Sequence, residues 1–462
     1  MQQDTRFPAH ETLLTAVPES NPPERTCRHQ PQQTHIEKLN EDARGLARHE
    51  GKVTFIEGAL PGETVTFCLA AQRANYDTGW TITVDEPSPD RVEPGCPHFG
   101  ICGGCSLQHL AAPAQIHAKA AILEEKFQQF GRIAPDEWLP PITGPEWHYR
   151  RSARIGARFV DKKNSIMIGF RERASRYIAP LRVCSVLDKR VSDLLPELHY
   201  LANQLSCRRR LPQIEISCSD DIVCMVFRHL TPLNEKDLDL FSRFGQDYDV
   251  HVCTQPGGPE TIQPVWPTEM PELRYTLPAF DLEMHYGPAH FVQVNSEVNQ
   301  AMIGQAIDLL APGPQDDLAD LFCGLGNFTL PLARRAGRIT GVENHEGLLK
   351  LARRNAEFNG VENADFRCAD LYDEAAAKRF WKDNDSRLLL LDPPRTGAAE
   401  ALKHLPKKQF DRILYVSCQP ATLARDCEFL VNDRGYRLKA AGVMDMFPHT
   451  SHVESMALLE RT

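Results

Sequence analysis

A chain of 462 residues is long enough for two or three domains, and 42% apolar with 25% charged residues is the balance of a soluble globular protein. No apolar run approaches the roughly 20 residues that span a bilayer, and the first residues lack a basic-then-apolar signal pattern, so a cytoplasmic protein without membrane contact is expected. A net charge of −10 excludes a generally basic nucleic-acid coat but leaves room for a local basic face.

Residues 1–34, rich in Pro, Gln, Thr and Glu with little apolar periodicity, read as a disordered tail. Residues 35–93 hold short β-type runs, Lys-Val-Thr-Phe-Ile at 52–56, Glu-Thr-Val-Thr-Phe at 63–67 and Trp-Thr-Ile-Thr-Val at 80–84, broken by turn signals. So many strands in so short a segment predict a small closed barrel, because closure removes exposed edges. The Gly-Leu-Ala-Arg-His entry at 45–49 and the Leu-Pro-Gly-Glu turn at 60–63 resemble the TRAM module, an RNA-binding barrel of the oligonucleotide-fold type.

Residues 94–285 read as a central α+β region. It opens on Cys96, Cys102 and Cys105, a C-x5-C-x2-C cluster in which Gly103 and Gly104 let the backbone wrap closely enough for three thiolates to point at one centre. Fourteen cysteines clustered in this way suit metal ligation in a reducing compartment better than a disulfide framework. Cys184 is the candidate fourth ligand. Spacing leaves zinc and iron-sulfur both open, but a zinc ribbon usually shows two close pairs, and the missing second pair favours a cubane cluster. A helix with Ile116, Ala120, Leu123, Phe127 and Phe130 on one face follows, ending before Gly131. Between 150 and 190 twelve Lys or Arg face three acids, a local excess that reads as a phosphate-binding surface, with Tyr149, Phe159, Phe170 and Tyr177 as candidate base-stacking partners.

Residues 286–462 alternate apolar strands and helices, the sign of a doubly wound parallel sheet. Leu-Ala-Asp-Leu-Phe-Cys-Gly-Leu-Gly-Asn-Phe-Thr at 318–329 is a strand, a Gly-x-Gly turn and a helix start, where a nucleotide-like ligand can approach the backbone. Thr329 stands where a dinucleotide fingerprint needs its third glycine, so a nicotinamide enzyme is disfavoured. The next strand ends on Glu343, placed to bind two ribose hydroxyls, and the third is followed by Asp370, placed for an adenine contact. A fourth strand runs into Asp392-Pro-Pro-Arg395. A fifth delivers Cys418 to a strand-to-helix turn, where amide N–H groups and the positive helix end are expected to lower its thiol pKa. Four such elements in order match a Rossmann-like methyltransferase using S-adenosylmethionine.

Asp-Pro-Pro-Arg-Thr-Gly at 392–397, Val-Ser-Cys-Gln-Pro-Ala-Thr-Leu-Ala-Arg-Asp at 416–426 and Met-Phe-Pro-His-Thr-Ser-His-Val-Glu-Ser at 446–455 resemble the three signatures of the RNA uracil-5 methyltransferase family. With the barrel and the cysteine cluster, the resemblance extends over nearly all of 35–462 and is closest to the branch acting on one uridine of 23S ribosomal RNA. Close relatives often carry Ala where Pro394 stands. The resemblance implies a [4Fe-4S] cluster on Cys96, Cys102, Cys105 and Cys184. It also implies S-adenosylmethionine contacts from Gln293, Phe322, Asn327, Glu343, Asp370 and Asp392.

Carbon 5 of uracil is a poor nucleophile until a thiolate adds to carbon 6, and Cys418 is the candidate thiolate. The carbon 5 proton must then leave, and Glu454, shielded by Phe447 and Val453, is the candidate base. The ring has to be flipped out of its stack for either step. A monomer acting on a flipped uridine is expected. A transfer-RNA uracil-5 methyltransferase and a non-catalytic RNA-binding or ribosome assembly factor are the alternatives. A radical enzyme would want C-x3-C-x2-C, and an amino-group methyltransferase an aromatic residue at 395 and no Cys418.

Overall fold

The computed structural model describes His10, Leu13, Val17 and residues 25–27, 29–173, 175–407 and 409–462. The tail expected over 1–34 therefore lies largely outside the described residues. Within it, Leu13 and Val17 are buried, and Gln32–His35 is already the first strand of the barrel.

That barrel is a six-stranded sheet in the order Gln32–His35, Thr64–Gln72, Tyr76–Glu86, Lys52–Glu57, Gly45–His49, Lys38–Leu39. The chain passes from one outer strand to the other through Ile36 and Glu37, whose N–H groups donate to the Glu63 and Leu46 carbonyls, so the sheet closes on itself. Ile36, Ala47, Ile56, Val65 and Phe67 fill the interior. Cys27 is bonded to Cys68, away from the clustered cysteines, while the other twelve cysteines are free. Arg91 to Glu63 (2.5 Å) and Arg173 to Glu57 (2.7 Å) join the barrel to the cysteine-rich segment.

The central sheet runs Gln263–Trp266, His251–Gln255, Val223–Arg228, Gln213–Cys218, Ser152–Val160, Ser165–Gly169. The helix Ala112–Gln129, expected to belong with it, packs elsewhere. Its Ile116, Leu123 and Phe127 join the core formed by Leu423, Cys427, Leu430, Leu438 and Ala441, and Glu137–Trp138 adds an edge strand beside Ala440 and Ala441. Phe130, at the helix end, is exposed. Hydrophobic complementarity with the last domain outweighs position in the chain here, because the helix has one apolar stripe and must bury it.

The last sheet has the order Ala364–Cys368, Arg338–Glu343, Asp317–Leu321, Leu388–Leu391, Arg412–Ser417, Glu454–Arg461, Tyr436–Met444, Glu137–Trp138. The first five strands are parallel, and Leu388–Leu391, flanked on both sides, is buried throughout. Strand order reverses between Asp317–Leu321 and Leu388–Leu391, which opens a crevice at their carboxyl ends. No helix among the described residues is long and apolar enough to cross a membrane.

The 392–397 turn beside that crevice is anchored from below. Gly397, at φ 79°, closes it. Ala398 N–H then donates to both the Tyr415 hydroxyl (3.0 Å) and Asp426 Oδ2 (2.7 Å), and Tyr415 donates to the same oxygen at 2.7 Å. Asp426→Ala leaves the buried Tyr415 hydroxyl without its acceptor and takes one of two acceptors from Ala398 N–H, and urea denaturation is expected to show a loss of about 1–3 kcal/mol.

Candidate active site

The crevice encloses a cavity of about 320 Å³. Its floor is the loop after Asp317–Leu321, where left-handed residues at alternate positions, Phe322 (φ 66°), Gly324 (57°) and Gly326 (95°), turn the backbone toward the opening. A phenylalanine in that conformation is strained, and the loop holds it by donating Phe322 and Cys323 N–H to the Val342 carbonyl. Gln293, Phe322, Asn327, Glu343 and Asp392 all line the cavity. Asn327 is locked by a reciprocal amide pair with Asn299 (2.9 and 3.0 Å) and by the Tyr275 hydroxyl at 2.8 Å. Glu343 accepts from the N–H groups of Gly324 (3.2 Å), Asn344 (2.8 Å) and His345 (3.1 Å).

Asp370 is not part of this lining. Its strand ends at Cys368, and the exposed carboxylate turns back to accept from Tyr372 N–H at 2.9 Å, shaping a turn. Tyr372 lines the cavity in its place, its ring 5.9 Å from Phe322 and its hydroxyl donating to the Gly397 carbonyl at 2.8 Å. The sequence signal was close, two residues along, but the reach of a strand end is not readable to that precision.

Cys418 and Glu454 meet through sheet register. Cys418 follows directly on Arg412–Ser417, Glu454 begins Glu454–Arg461, and the two strands run antiparallel with Ser417 opposite Ser455. The thiol and the carboxyl consequently fall across from each other at the neighbouring strand ends, one strand away from Asp392. Burial pushes the Glu454 carboxyl up to about 8, reinforced by Asp392 and opposed by Arg395 and Lys119. Burial alone lifts Asp392 to about 7. The lowered thiol expected at the strand-to-helix turn is not found: burial raises Cys418 to about 11, with Glu454 and Asp392 adding to it and Arg395 acting against it. Two nearby carboxyls and desolvation outweigh the helix end.

Arg395 and Lys119 are the cations of this site, and neither was assigned a role from sequence. Arg395 reaches His452, Nη2 to Nδ1 3.1 Å. Lys119 lies on the Ala112–Gln129 helix, is 1% exposed and holds Asp445 at 2.6 Å. A lysine in an amphipathic helix reads as a surface residue, and its burial depends on a partner 326 positions away.

Cys96, Cys102, Cys105 and Cys184 line one small cavity with Phe99, Phe170, Leu181 and Val186. Burial raises Cys102 and Cys105 to about 12 and Cys184 to about 11, and the neighbouring thiols contribute to each shift. Among the described residues no three His, Cys, Asp or Glu side chains close on a single ion position.

On Ser152–Val160, Ala153, Ile155 and Ala157 are buried while Arg154 and Arg158 are exposed, and these two with Phe170, Arg171 and Arg176 line a groove of about 460 Å³. Tyr177 is 54% exposed, but Tyr149 is buried with its hydroxyl on the Pro448 carbonyl (3.1 Å), so it is not a stacking surface. Phe159 lies under Arg208 and Arg209, 5.2 and 4.1 Å from its ring.

A family model described as tRNA (Uracil-5-)-methyltransferase matches residues 111–462, and a TRAM domain model matches 25–67. A Xanthomonas axonopodis pv. citri protein named 23S rRNA (uracil(1939)-C(5))-methyltransferase RlmD is 46% identical over 434 residues, 93% of this chain and 97% of its own. A Nitrosococcus oceani protein of the same name is 46% identical over 444 residues, covering 96% and 99%. The crystal structure of Pyrococcus abyssi tRNA (uracil-54, C5)-methyltransferase with S-adenosyl-L-homocysteine superposes with a TM-score of 0.71 at 24% identity, over 92% of this chain and 99% of that one, and so shares the fold. A barrel that is a TRAM domain, a Rossmann-like methyltransferase sheet and relatives of this similarity lead to one statement: the chain belongs to the tRNA (uracil-5-)-methyltransferase family.

Proposed function

We propose that this protein methylates carbon 5 of a flipped uridine in 23S ribosomal RNA, with S-adenosylmethionine as donor, Cys418 as nucleophile and Glu454 as base. The single observation that carries the reading is the Ser417–Ser455 register, which sets a thiol and a half-buried carboxyl across from each other beside a nucleotide-sized cavity. The names of the 46% identical relatives support the ribosomal substrate over the transfer-RNA alternative.

When bound, S-adenosylmethionine supplies an electrophilic methyl group and a positive charge. Glu343 is the acceptor for ribose hydroxyls, and Gln293, Asn327 and Tyr372 are further polar contacts along the same cavity. Cys418 Sγ, as thiolate, forms a bond to carbon 6 of the uracil, and the displaced π electrons make carbon 5 nucleophilic. Arg395 favours the thiolate by its charge. Carbon 5 takes the methyl group, its proton passes to Glu454, and the returning electron pair restores the ring double bond and expels the Cys418 thiolate. A carboxylate with raised proton affinity is the better acceptor for that step. The Arg154–Arg176 groove and exposed Tyr177 provide phosphate contacts and a stacking face, and one copy of the chain carries every residue named.

The four thiols fit a [4Fe-4S] cluster. All four line one small, largely apolar cavity, and four cysteine thiolates are a donor set such a cluster takes. Such a cluster would be held by Cys96, Cys102, Cys105 and Cys184.

Cys418→Ala is expected to abolish methylation while S-adenosylmethionine binding is retained. Wild-type protein with RNA containing 5-fluorouridine, which has no carbon 5 proton to lose, should form a denaturant-stable adduct; absence of that adduct overturns the thiolate mechanism. Mapping 5-methyluridine in 23S ribosomal RNA from cells lacking the protein tests the substrate.

Glu454 also makes a stability prediction. Its folded pKa of about 8 lies above its ordinary 4.5, so the folded state binds the extra proton and stability falls as pH rises between these values. Glu454→Gln should raise the melting temperature by a few degrees at pH 8–9 and leave it unchanged near pH 4.5. Anaerobically purified protein is expected to be brown and to contain about four irons per chain, whereas a colourless zinc-loaded protein overturns the cluster assignment.

A further inference from the structure

Glu454 is reached through the hairpin loop 445–453, whose neck is the Met444–Glu454 pair. Little of that loop is held by its own domain sheet. Instead five residues of one distant stretch of chain grip it. Ser106 and Leu107 N–H donate to the His449 carbonyl at 2.8 and 2.9 Å. Gln115 Oε1 accepts from His449 N–H at 2.8 Å while its Nε2 lies 3.2 Å from His449 Nδ1. Lys119 Nζ donates to Asp445 Oδ1 (2.6 Å) and to the Phe447 carbonyl (3.0 Å), and Tyr149 donates to the Pro448 carbonyl. The centre of the grip, His449, sits at φ 66° and stacks on Trp147 with ring centroids 3.9 Å apart. A histidine seldom takes that conformation unless its surroundings impose it.

The mechanism uses none of these side chains. Lys119 and Asp445 are an ion pair buried almost completely, 1% and 7% exposed, and such a pair is weak evidence for a stabilising role because desolvation offsets most of its attraction. A directional role fits better. Asp445 adjoins the hairpin neck, and the Lys119 charge also acts on the Glu454 carboxyl. We infer that Lys119 and Gln115 are positioning residues for the proton-abstraction half of the reaction, fixing loop 445–453 so that the Glu454 carboxylate meets carbon 5 after the methyl group has been transferred. This rests on the assignment of Cys418 and Glu454 above.

The test separates methyl transfer from proton loss. Full-length protein is given 23S ribosomal RNA transcribed with [5-³H]uridine triphosphate and methyl-labelled S-adenosylmethionine, and tritium release, methyl incorporation and denaturant-stable protein–RNA adduct are followed together. Two variants are used: the double replacement Lys119→Met with Asp445→Leu, which leaves no buried charge unpaired, and Gln115→Leu on a separate contact. Both should bind S-adenosylmethionine as wild type does and complete one round of methyl incorporation. Tritium release should then slow roughly 10- to 100-fold, the scale on which a small misplacement of a catalytic group acts, with adduct accumulating as in Glu454→Gln. A folded double variant that releases tritium in step with methyl incorporation at the wild-type rate overturns the inference. So does loss of methyl incorporation without adduct, which places the defect before the proton step. If Glu454→Gln itself releases tritium normally, the base assignment fails and this inference with it, a result separate from either variant behaving as wild type.

Discussion

The pairing of Arg412–Ser417 with Glu454–Arg461 is the constraint on which the rest of the site depends. A parallel α/β sheet gathers its strand ends on one edge, but it does so with successive strands of the same direction. Here the last pairing is antiparallel, so the end of one strand meets the start of another, and two side chains far apart in sequence share one place. A slip of one residue would turn Glu454 to the opposite face of its strand, because side chains alternate with a period of two. The register is secured by burial on both faces: Ile413, Leu414, Tyr415, Ala457, Leu458 and Leu459 are all in the core.

That packing has an electrostatic consequence. Asp320, Asp392 and Glu454 are carboxyls in desolvated surroundings, each raised, to about 7, 7 and 8. Asp320 is occupied by the Thr329 hydroxyl at 2.5 Å, the residue that replaces the third glycine of a dinucleotide fold, and so serves the loop rather than the chemistry. Asp392 and Glu454 act on Cys418, and Arg395 and a backbone hydrogen bond draw the thiol toward its ionised form against them and against burial. The free site is therefore biased toward the protonated, unreactive state of both groups. A positive charge placed in the crevice lowers the pKa of all three, because it favours each ionised form.

The segment beginning at Cys105 touches three parts that also share one buried core. Cys105 lines the thiol cavity, Ser106 and Leu107 bond the His449 carbonyl, and the helix that follows packs on the methyltransferase core. The thiol cavity, the 445–453 loop and the last sheet are thus joined by a short length of chain. The central domain presents its arginines on the Ser152–Val160 face, which is built by alternation along the strand and needs no such connection.

Much of this was legible in the residues alone. Local pattern determines the barrel strands, the alternating strands and helices of the last domain, the Gly-x-Gly loop and the strand-end positions of Glu343, Asp392 and Cys418, because a side-chain period and a turn preference are properties of neighbouring residues. The signatures around 392, 418 and 454 fall at neighbouring strand ends. The tertiary structure decided what depends on distant partners: which domain the Ala112–Gln129 helix joins, that Tyr149 is buried and Asp370 turned aside, and that Lys119 lies beneath the catalytic loop. It also reversed the expected thiol shift, since a helix end is visible in sequence but the carboxyls that sheet register brings opposite Cys418 are not. Charges act through space, and the distance between Cys418 and Glu454 is set by how two strands pair rather than by either strand's residues.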